Sequence, residues 1–347
     1  MTSATLLSVR IARKTLEATG VYSYELHSTT GAALPAFTAG SHIDVLLPNA
    51  SNAATNGVVL TRQYSLCNPP SETHRYCIAV LLDAASRGGS VAMHALQVGD
   101  VLQISPPKNH FALAADAQQH LLLAGGIGIT PILCMAEQLA QDMAAQCSTQ
   151  PTEPAAAVAS AAFNLHYACR SRERMAFYQR MASAPYASRV QFHFDDGPTT
   201  QQLGIAALLQ QAAPGTHLYV CGPKGFMDAV LGAARAQHWP EAQLHYEFFG
   251  AAVAATASDG AFEVQLARSG RVVQVPADQT VLQALAEAGV SVDNACQQGV
   301  CGTCLTRVLG GTPDHKDLYL TPEEQEANDQ FLPCCSRSKT PLLVLDL

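Results

Sequence analysis

The chain has 347 residues, of which 48% are hydrophobic and 14% charged, and its formal net charge is −8. This length favours two or three domains, and the acidic balance argues against nucleic acid, whose phosphates need a basic surface. The apolar runs are too short for a membrane helix, and residues 1–10 lack the layout of a signal peptide, so we predict a cytoplasmic protein.

The first 113 residues are predicted to be rich in β-strand. Runs that alternate apolar and polar residues, such as residues 42–47 and 76–81, are separated by clusters of Gly, Pro and Asn. Short, regularly spaced strands of this kind are typical of a barrel or a sandwich.

From about residue 114 the pattern changes to alternating strands and helices. Helical stretches at residues 131–145 and 175–181 alternate with apolar runs that predict strands at residues 120–124, 163–168, 190–194 and 218–221. This alternation predicts a doubly wound, parallel α/β sheet. Residues 146–162, rich in Ala, Ser, Thr and Pro, are predicted to form a surface loop.

The last part of the chain is predicted to be a separate, smaller domain. Residues 251–260 are small and polar and predict a linker. Beyond them, two strand-like runs and a helix precede a loop that is rich in cysteine. The predicted domains are therefore residues 1–113, 114–250 and 261–347.

Four of the eleven cysteines have the spacing of a metal site. Cys296, Cys301 and Cys304 form C-x4-C-x2-C, and 29 residues separate Cys304 from Cys334. This is the spacing of a plant-type [2Fe–2S] cluster, which is held by soft thiolates. A zinc site is the alternative, but it usually pairs its ligands as two short knuckles. Cys335, adjacent to Cys334, is an alternative fourth ligand.

The other cysteines follow no ligand spacing, and an odd number without a signal peptide argues against a disulfide framework. Most of them are predicted to be small buried side chains.

Two glycine turns are predicted to bind a dinucleotide. Gly125, Gly126 and Gly128 lie between a strand and a helix, where glycine lets a pyrophosphate approach the helix N-terminus. The second turn, Gly222-Pro223, also follows a strand. Both turns fall at the carboxyl ends of parallel strands, although a purely structural glycine turn is the alternative.

A short strand in the first domain carries residues suited to a flavin. Arg62 and Tyr64 share one face by period-two alternation, so that the ring can stack on a flavin while the guanidinium holds a phosphate. A surface arginine beside a core tyrosine is the alternative. Residues 86–90 predict either an anion-binding nest or a simple turn.

In their order along the chain, these motifs resemble those of the phthalate dioxygenase reductase and vanillate demethylase reductase family. The resemblance covers essentially the whole chain. It is carried by R-x-Y-S from Arg62, R-G-G-S from Arg87, G-G-I-G-I-T-P from Gly125, C-G-P from Cys221, residues 246–250 and the four spaced cysteines. It implies an antiparallel β-barrel that binds FMN, a doubly wound α/β domain that binds NAD, and a C-terminal α+β, ferredoxin-like (β-grasp) [2Fe–2S] domain.

The resemblance also implies roles at the flavin. Arg62 would contact the FMN phosphate, Tyr64 the ring and Ser65 the region of N5. Further implied contacts come from Gln63, from the backbone of Ile78, Ala79 and Val80, and from a phosphate cradle of Gly88, Gly89 and Ser90.

On the nicotinamide side, Cys221 would lie beside C4, Thr130 would face the flavin and Phe249 would cover it, with Phe248 as the competing candidate. Ser65, Thr130 and Cys221 are thus the predicted catalytic residues. An ordinary buried cysteine at a strand end is the alternative for Cys221.

The choice between NADH and NADPH depends on two turns. Arg170, Ser171 and Arg172 follow one strand, and an arginine there could bind a 2′-phosphate or stack on adenine. Asp195 and Asp196 add negative charge near the next strand end, and members of this family usually use NADH. We therefore predict NADH.

The implied function is an electron relay from NADH to FMN to the cluster, and from there to a Rieske-type oxygenase that acts on an aromatic acid. A reductase for a cytochrome P450 or another carrier, and a redox-sensing module, are the alternatives. Residues 261–347 contain six Lys or Arg and eleven Asp or Glu, which predicts either a solvated acidic surface or a docking face for a basic partner. The family suggests a monomer.

Overall fold

The computed structural model describes residues 6–48, 59–84, 86, 88–148, 162–249, 260–277, 279–294, 299, 302–317 and 319–347. The chain divides into two compact units, Met1–Phe249 and Gly250–Leu347. Within the described ranges, no helix is both long enough and apolar enough to cross a bilayer.

The first part of unit one is an antiparallel sheet with one short helix. Its elements are β1 (Leu7–Ala18), β2 (Val21–Ser28), β3 (Ser41–Pro48), β4 (Val59–Ser65), β5 (Tyr76–Leu81), α1 (Gly89–Ala95), β6 (Val101–Ile104) and β7 (Lys108–Asn109). The strand order is β4-β3-β6-β1-β2-β5, with β7 paired to β3. One isolated bridge, between Leu66 and Ile78, joins the two end strands of the barrel.

The second part of unit one is a parallel sheet in the order β10-β9-β8-β11-β12. Its strands are β8 (Gln119–Gly125), β9 (Ala162–Cys169), β10 (Val190–Phe194), β11 (Thr216–Gly222) and β12 (Leu244–Phe248). Its helices are α2 (Ile129–Ser148), α3 (Tyr178–Ala182), α4 (Ile205–Gln210) and α5 (Lys224–Ala236). The predicted strands and the helix at 131–145 are confirmed.

The helix predicted at residues 175–181 is wrong at its start. It begins at Tyr178, because Phe177 has a left-handed backbone (φ 60°) that a helix cannot include.

Strand β8 shows why the apolar runs of this sheet are continuous. Leu122 and Ala124 pack on the core shared with the barrel, while Leu121 and Leu123 pack on the opposite side. A strand buried on both faces has no polar face to expose. The shared core includes Ile78 and Val80 of the barrel together with Cys221. The predicted flavin and nicotinamide segments therefore belong to one continuous apolar core.

Unit two has a mixed sheet in the order β14-β13-β19-β15-β17 and a short β16-β18 pair. Its elements are β13 (Phe262–Leu266), β14 (Val272–Val275), α6 (Val281–Glu287), β15 (Thr306–Gly310), β16 (Pro313–Asp314), α7 (Pro322–Ala327), β17 (Gln330–Phe331), β18 (Arg337–Ser338) and β19 (Leu342–Leu345). Capping boxes begin both helices, Thr280 with Gln283 and Thr321 with Glu324.

Candidate functional site

The structure brings together the residues that were predicted to hold a phosphate. A Cβ built on Gly89 would lie 2.7 Å from Cγ and Nε of Arg62, so that only glycine lets the arginine side chain lie on this turn. Gly88 has φ +88°, and the Ser90 hydroxyl donates to Ser86 Oγ at 2.8 Å. A guanidinium on a glycine turn at a helix start fits a phosphate group.

Beside this turn, the barrel has an open edge. Strands β4 and β5 meet at the Leu66–Ile78 bridge, and the described residues form no further ladder between them. Tyr64 is half-buried there, and burial raises the pKa of its phenol. Ile78, Ala79 and Val80 are buried on the facing strand, where His94 Nε2 lies 3.0 Å from the Val80 carbonyl oxygen. A flat ring between Tyr64 and the β5 backbone fits this edge.

The two glycine turns touch each other at the carboxyl ends of β8 and β11. A Cβ on Gly222 would lie 3.0 Å from Gly125 Cα, and a Cβ on Gly128 would overlap the Cys221 carbonyl. Gly126 (φ +52°) has open space on its side-chain side. Because helix α2 begins at this point, its free N–H groups and the glycine backbone fit a pyrophosphate.

Cys221 lies at the junction of the barrel and the parallel sheet. It is buried and pairs with Glu247 in the register of β11 and β12. Burial, reinforced by the Glu247 carboxylate, raises the pKa of the Cys221 thiol, so the thiol stays neutral. The sequence predicted Cys221 beside the nicotinamide, and its place at the strand end supports this role.

Glu247 is a site residue that the sequence analysis did not assign. The Ser65 hydroxyl of the barrel donates to Glu247 Oε2 at 3.0 Å, so the predicted flavin strand and the last strand of the NAD sheet are in contact. Burial raises the pKa of Glu247 to about 7, although the hydrogen bond from Ser65 acts in the opposite direction. The sequence feature that could have identified Glu247 is a carboxylate among three aromatic residues in the 246–250 motif.

His42 is the second unassigned residue. It lies opposite Ser65 in the pairing of β3 with β4, and its Nδ1 is 3.9 Å from Glu247 Oε1. Gln63, predicted as a cofactor contact, turns its side chain toward this network: its Nε2 lies 3.3 Å from His42 Nε2 and donates to Asp44 Oδ1 at 3.0 Å. Only the backbone of Gln63 is then left to contact a cofactor.

The remaining predicted residues lie around this junction. Thr130 is 1% exposed and donates its hydroxyl to the Ile127 carbonyl at 3.2 Å. Phe248 packs on Tyr246 (ring centroids 5.6 Å apart) and on the second core of the sheet, whereas Phe249 is 36% exposed. An exposed ring can cover a neighbouring ligand, which supports Phe249 over Phe248.

The turns predicted to contact the far end of the dinucleotide lie side by side. The N–H of Asp196 donates to the Arg170 carbonyl, and that of Asp195 to the Cys169 carbonyl, each at 3.1 Å. Arg172 stacks over the Tyr178 ring at 4.5 Å, while Arg170 is exposed. The exposed arginine therefore has two exposed aspartates next to it.

Part of the predicted cluster site is visible in unit two. Cys304 and Cys334 are 2% and 4% exposed and share a small core with Leu320 and Leu332, while Cys296 and Cys301 lie outside the described residues. Two buried thiols in one pocket fit a cluster that needs soft ligands.

Cys335, the alternative fourth ligand, lies in the same buried core as Cys334. Its sulfur lies 3.7 Å from both the Leu332 carbonyl oxygen and Ser336 Oγ. It also packs against Gly299 (φ +73°), where a Cβ would lie 2.5 Å from it. These contacts give Cys335 a packing role, and Cys334 stays the predicted fourth ligand.

Comparison with known proteins identifies two domain families in the chain. Residues 122–231 match the oxidoreductase NAD-binding domain family, and residues 264–339 match the 2Fe-2S iron-sulfur cluster binding domain family. A vanillate O-demethylase oxidoreductase of Pseudomonas putida is 52% identical over 95% of this chain and 96% of its own length.

Two solved structures align with nearly the whole chain. One is phthalate dioxygenase reductase, a modular structure for electron transfer from pyridine nucleotides to [2Fe-2S], with 36% identity and a TM-score of 0.74 over 99% of this chain and 98% of that one. The other is an intact type IV self-sufficient cytochrome P450 monooxygenase, with 36% identity and a TM-score of 0.74 over 99% of this chain and 41% of that one. The predicted architecture of barrel, α/β domain and ferredoxin-like domain is confirmed.

Proposed function

The chain belongs to the family of phthalate dioxygenase reductases and vanillate O-demethylase oxidoreductases, and we propose that it is the reductase of a Rieske-type oxygenase acting on a vanillate-like aromatic acid. It is an oxidoreductase that passes electrons from NADH through FMN to a [2Fe–2S] cluster and on to an oxygenase. The vanillate-like substrate, the Rieske type of the partner, a monomeric state and a cytoplasmic location belong to the proposal.

The contact between Ser65 and Glu247 carries the electron-transfer part of this proposal. It joins the strand of Arg62 and Tyr64 to the strand next to Cys221, so the residues assigned to the flavin and to the nicotinamide lie side by side. Bound FMN would supply the chemistry that accepts a hydride and releases single electrons. The chain itself has to hold the two rings in contact and keep water out, which the burial of Cys221 favours.

We assign the residues accordingly. Arg62 and the cradle of Gly88, Gly89 and Ser90 bind the FMN phosphate, and Tyr64 with the β5 backbone binds its ring. The glycine turns of β8 and β11 bind the pyrophosphate of NADH. Cys304 and Cys334, together with Cys296 and Cys301, bind the cluster. We propose that the FMN-binding domain spans residues 1–113, the NAD-binding domain residues 114–250 and the cluster domain residues 261–347.

Reconstitution tests the proposal. O-demethylation of vanillate consumes one NADH and one O2 and releases one formaldehyde. When the chain is mixed with its oxygenase and vanillate, we therefore expect one formaldehyde to form for each NADH that is oxidised. The partner is obtained by pull-down with the full chain. Reduction of FMN and of the cluster without any product from vanillate or phthalate would contradict the assigned partner.

A second candidate has one specific observation in its favour. The likeness to the self-sufficient cytochrome P450 monooxygenase extends over 99% of this chain, so a separate P450 is the alternative acceptor. Carbon monoxide difference spectra during NADH oxidation distinguish the two, because only a reduced P450 haem gives the carbon monoxide complex.

A further inference from the structure

We infer that His42 is the proton-transfer residue that connects the Ser65–Glu247 contact with the protein surface. The inference rests on the proposed function, because it concerns the proton that NADH oxidation leaves behind. It concerns side chains of unit one alone.

The balance of the reaction requires a proton to leave the site. NADH gives NAD⁺, one H⁺ and two electrons, and the [2Fe–2S] cluster accepts only electrons. One proton per NADH must therefore pass from the buried junction to solvent. A proton can move only between groups that approach hydrogen-bonding distance, so the side chains around Ser65 define its route.

The first step of the route lies between Glu247 and His42. Ser65 donates to one carboxylate oxygen of Glu247, and the other oxygen is 3.9 Å from His42 Nδ1. This distance is longer than a hydrogen bond, so the proposal requires the two side chains to approach each other when the proton moves. The pKa of Glu247, which burial raises to about 7, allows the carboxyl to take up and give back a proton near neutral pH.

The second step leads outward from His42. Its Nε2 lies 3.3 Å from Gln63 Nε2, which donates to Asp44 Oδ1, and Lys108 Nζ donates to Asp44 Oδ2 at 2.7 Å. The exposed His110 lies on the same side, with its ring centroid 5.5 Å from that of His42. His42 itself is 4% exposed. It is thus the titratable link between a buried carboxyl and groups that reach solvent.

The groups around His42 explain how it can carry positive charge while buried. Glu247 approaches from β12, Asp44 lies on the same face of β3, and Lys108 and the His110 ring lie on the outer side. The Glu247 carboxylate at ion-pair distance favours a transient imidazolium, whereas the Gln63 amide, a donor, faces Nε2 of the neutral ring. The Lys108 cation on the outer side favours release of the His42 proton toward the exposed His110 and water.

The test follows protons and electrons separately. The reduced holoprotein is mixed with excess cytochrome c in weak buffer, where absorbance reports electron transfer and an indicator dye reports protons. We expect the His42→Phe variant to release its proton at least about tenfold more slowly than the native protein, with recovery when imidazole is added. His74→Phe, the same change at an exposed position of the barrel, should release its proton at the native rate.

A second variant and a measurement that does not depend on turnover show whether a loss of proton release is due to misfolding. His42→Gln keeps a hydrogen-bonding side chain. The infrared band of the Glu247 carboxyl, assigned by its absence in Glu247→Gln, is then followed with pH in the native protein and in His42→Gln. Loss of the charged neighbour should move the pH midpoint of that band upward.

Native-rate proton release, or slow release that imidazole does not restore, would overturn the role of His42. Failure of NADH to reduce the native holoprotein would instead overturn the proposed function.

Discussion

The ring of Tyr319 lies directly on the backbone of Gly302, the residue between two predicted cluster ligands. Gly302 has φ +70°, and a Cβ there would overlap the ring, while Tyr319 keeps 46% of its surface exposed. An aromatic side chain thus covers the loop that is predicted to carry Cys301 and Cys304.

Replacement of Gly302 by alanine should therefore reduce the amount of [2Fe–2S] cluster that the protein holds. A left-handed backbone costs a residue with a Cβ roughly 1–2 kcal/mol, and the methyl group must also displace the Tyr319 ring. We expect iron content and visible absorbance of the purified variant to fall well below those of the native protein. Gly260→Ala is the control, because no heavy atom lies within 4 Å of its Cβ position and its φ is not positive. Full cluster occupancy in Gly302→Ala would contradict the tight contact.

Two buried histidines of the parallel sheet should make the protein sensitive to acid. Burial, with lesser effects of neighbouring histidines, lowers the pKa of His120 and of His166 from 6.5 to about 4. Between these values the unfolded chain binds more protons than the folded chain, so stability falls as the pH drops from about 6.5 to 4. Each histidine contributes at most about 3 kcal/mol to this loss.

The acid sensitivity is measured by urea unfolding at several pH values. The His120→Gln variant should show a shallower fall in the free energy of unfolding than the native protein. His238→Asn is the matched control, since His238 is exposed and asparagine tolerates its φ of 61°. An unchanged slope in His120→Gln would mean that this histidine does not titrate on unfolding.

The preference for NADH should depend on Asp195 and Asp196. Their N–H groups bind the carbonyls of Cys169 and Arg170, which places two acidic residues in the turn next to the exposed Arg170. Negative charge near this turn should disfavour a 2′-phosphate. We expect Asp195→Ser/Asp196→Ser to improve the ratio of NADPH to NADH use by about tenfold, which corresponds to about 1.4 kcal/mol. The measurement is kcat/KM for flavin reduction, and Asp142→Ser, an exposed change on α2, is the control.

Electron transfer to the oxygenase should depend on salt through one acidic segment. Residues 314–329 contain six Asp or Glu and one Lys, whereas the rest of residues 261–347 contains five of each sign. The whole excess charge therefore lies in the segment that contains Tyr319. Glu323→Gln/Glu326→Gln should slow electron transfer at low ionic strength and flatten its salt dependence, because both side chains are exposed. The control is Glu287→Gln, and Glu324 is left intact because it caps α7.

Local spacing in the sequence was sufficient to predict two of the domains. The C-x4-C-x2-C run predicted a [2Fe–2S] domain and the strands followed by glycine turns predicted an NAD-binding domain, and both domains are confirmed. The individual cluster ligands and dinucleotide contacts stay predictions. The alternating strand and helix pattern likewise predicted the parallel sheet. The start of α3 was missed because the left-handed backbone of Phe177 has no sequence marker such as glycine.

What the sequence alone determined is thus the [2Fe–2S] and NAD-binding domains and their order, since each motif acts within a few residues, whereas FMN followed from the resemblance of the whole chain to a family. The tertiary structure decided which side chains meet across the chain. Ser65 and Glu247 are 182 positions apart, and only packing of the barrel on the parallel sheet brings them into hydrogen-bond contact. The same burial raises the pKa of Glu247 and places His42 beside it. The contact of Gly302 with Tyr319 likewise follows from the fold of the unit and not from the spacing of the cysteines.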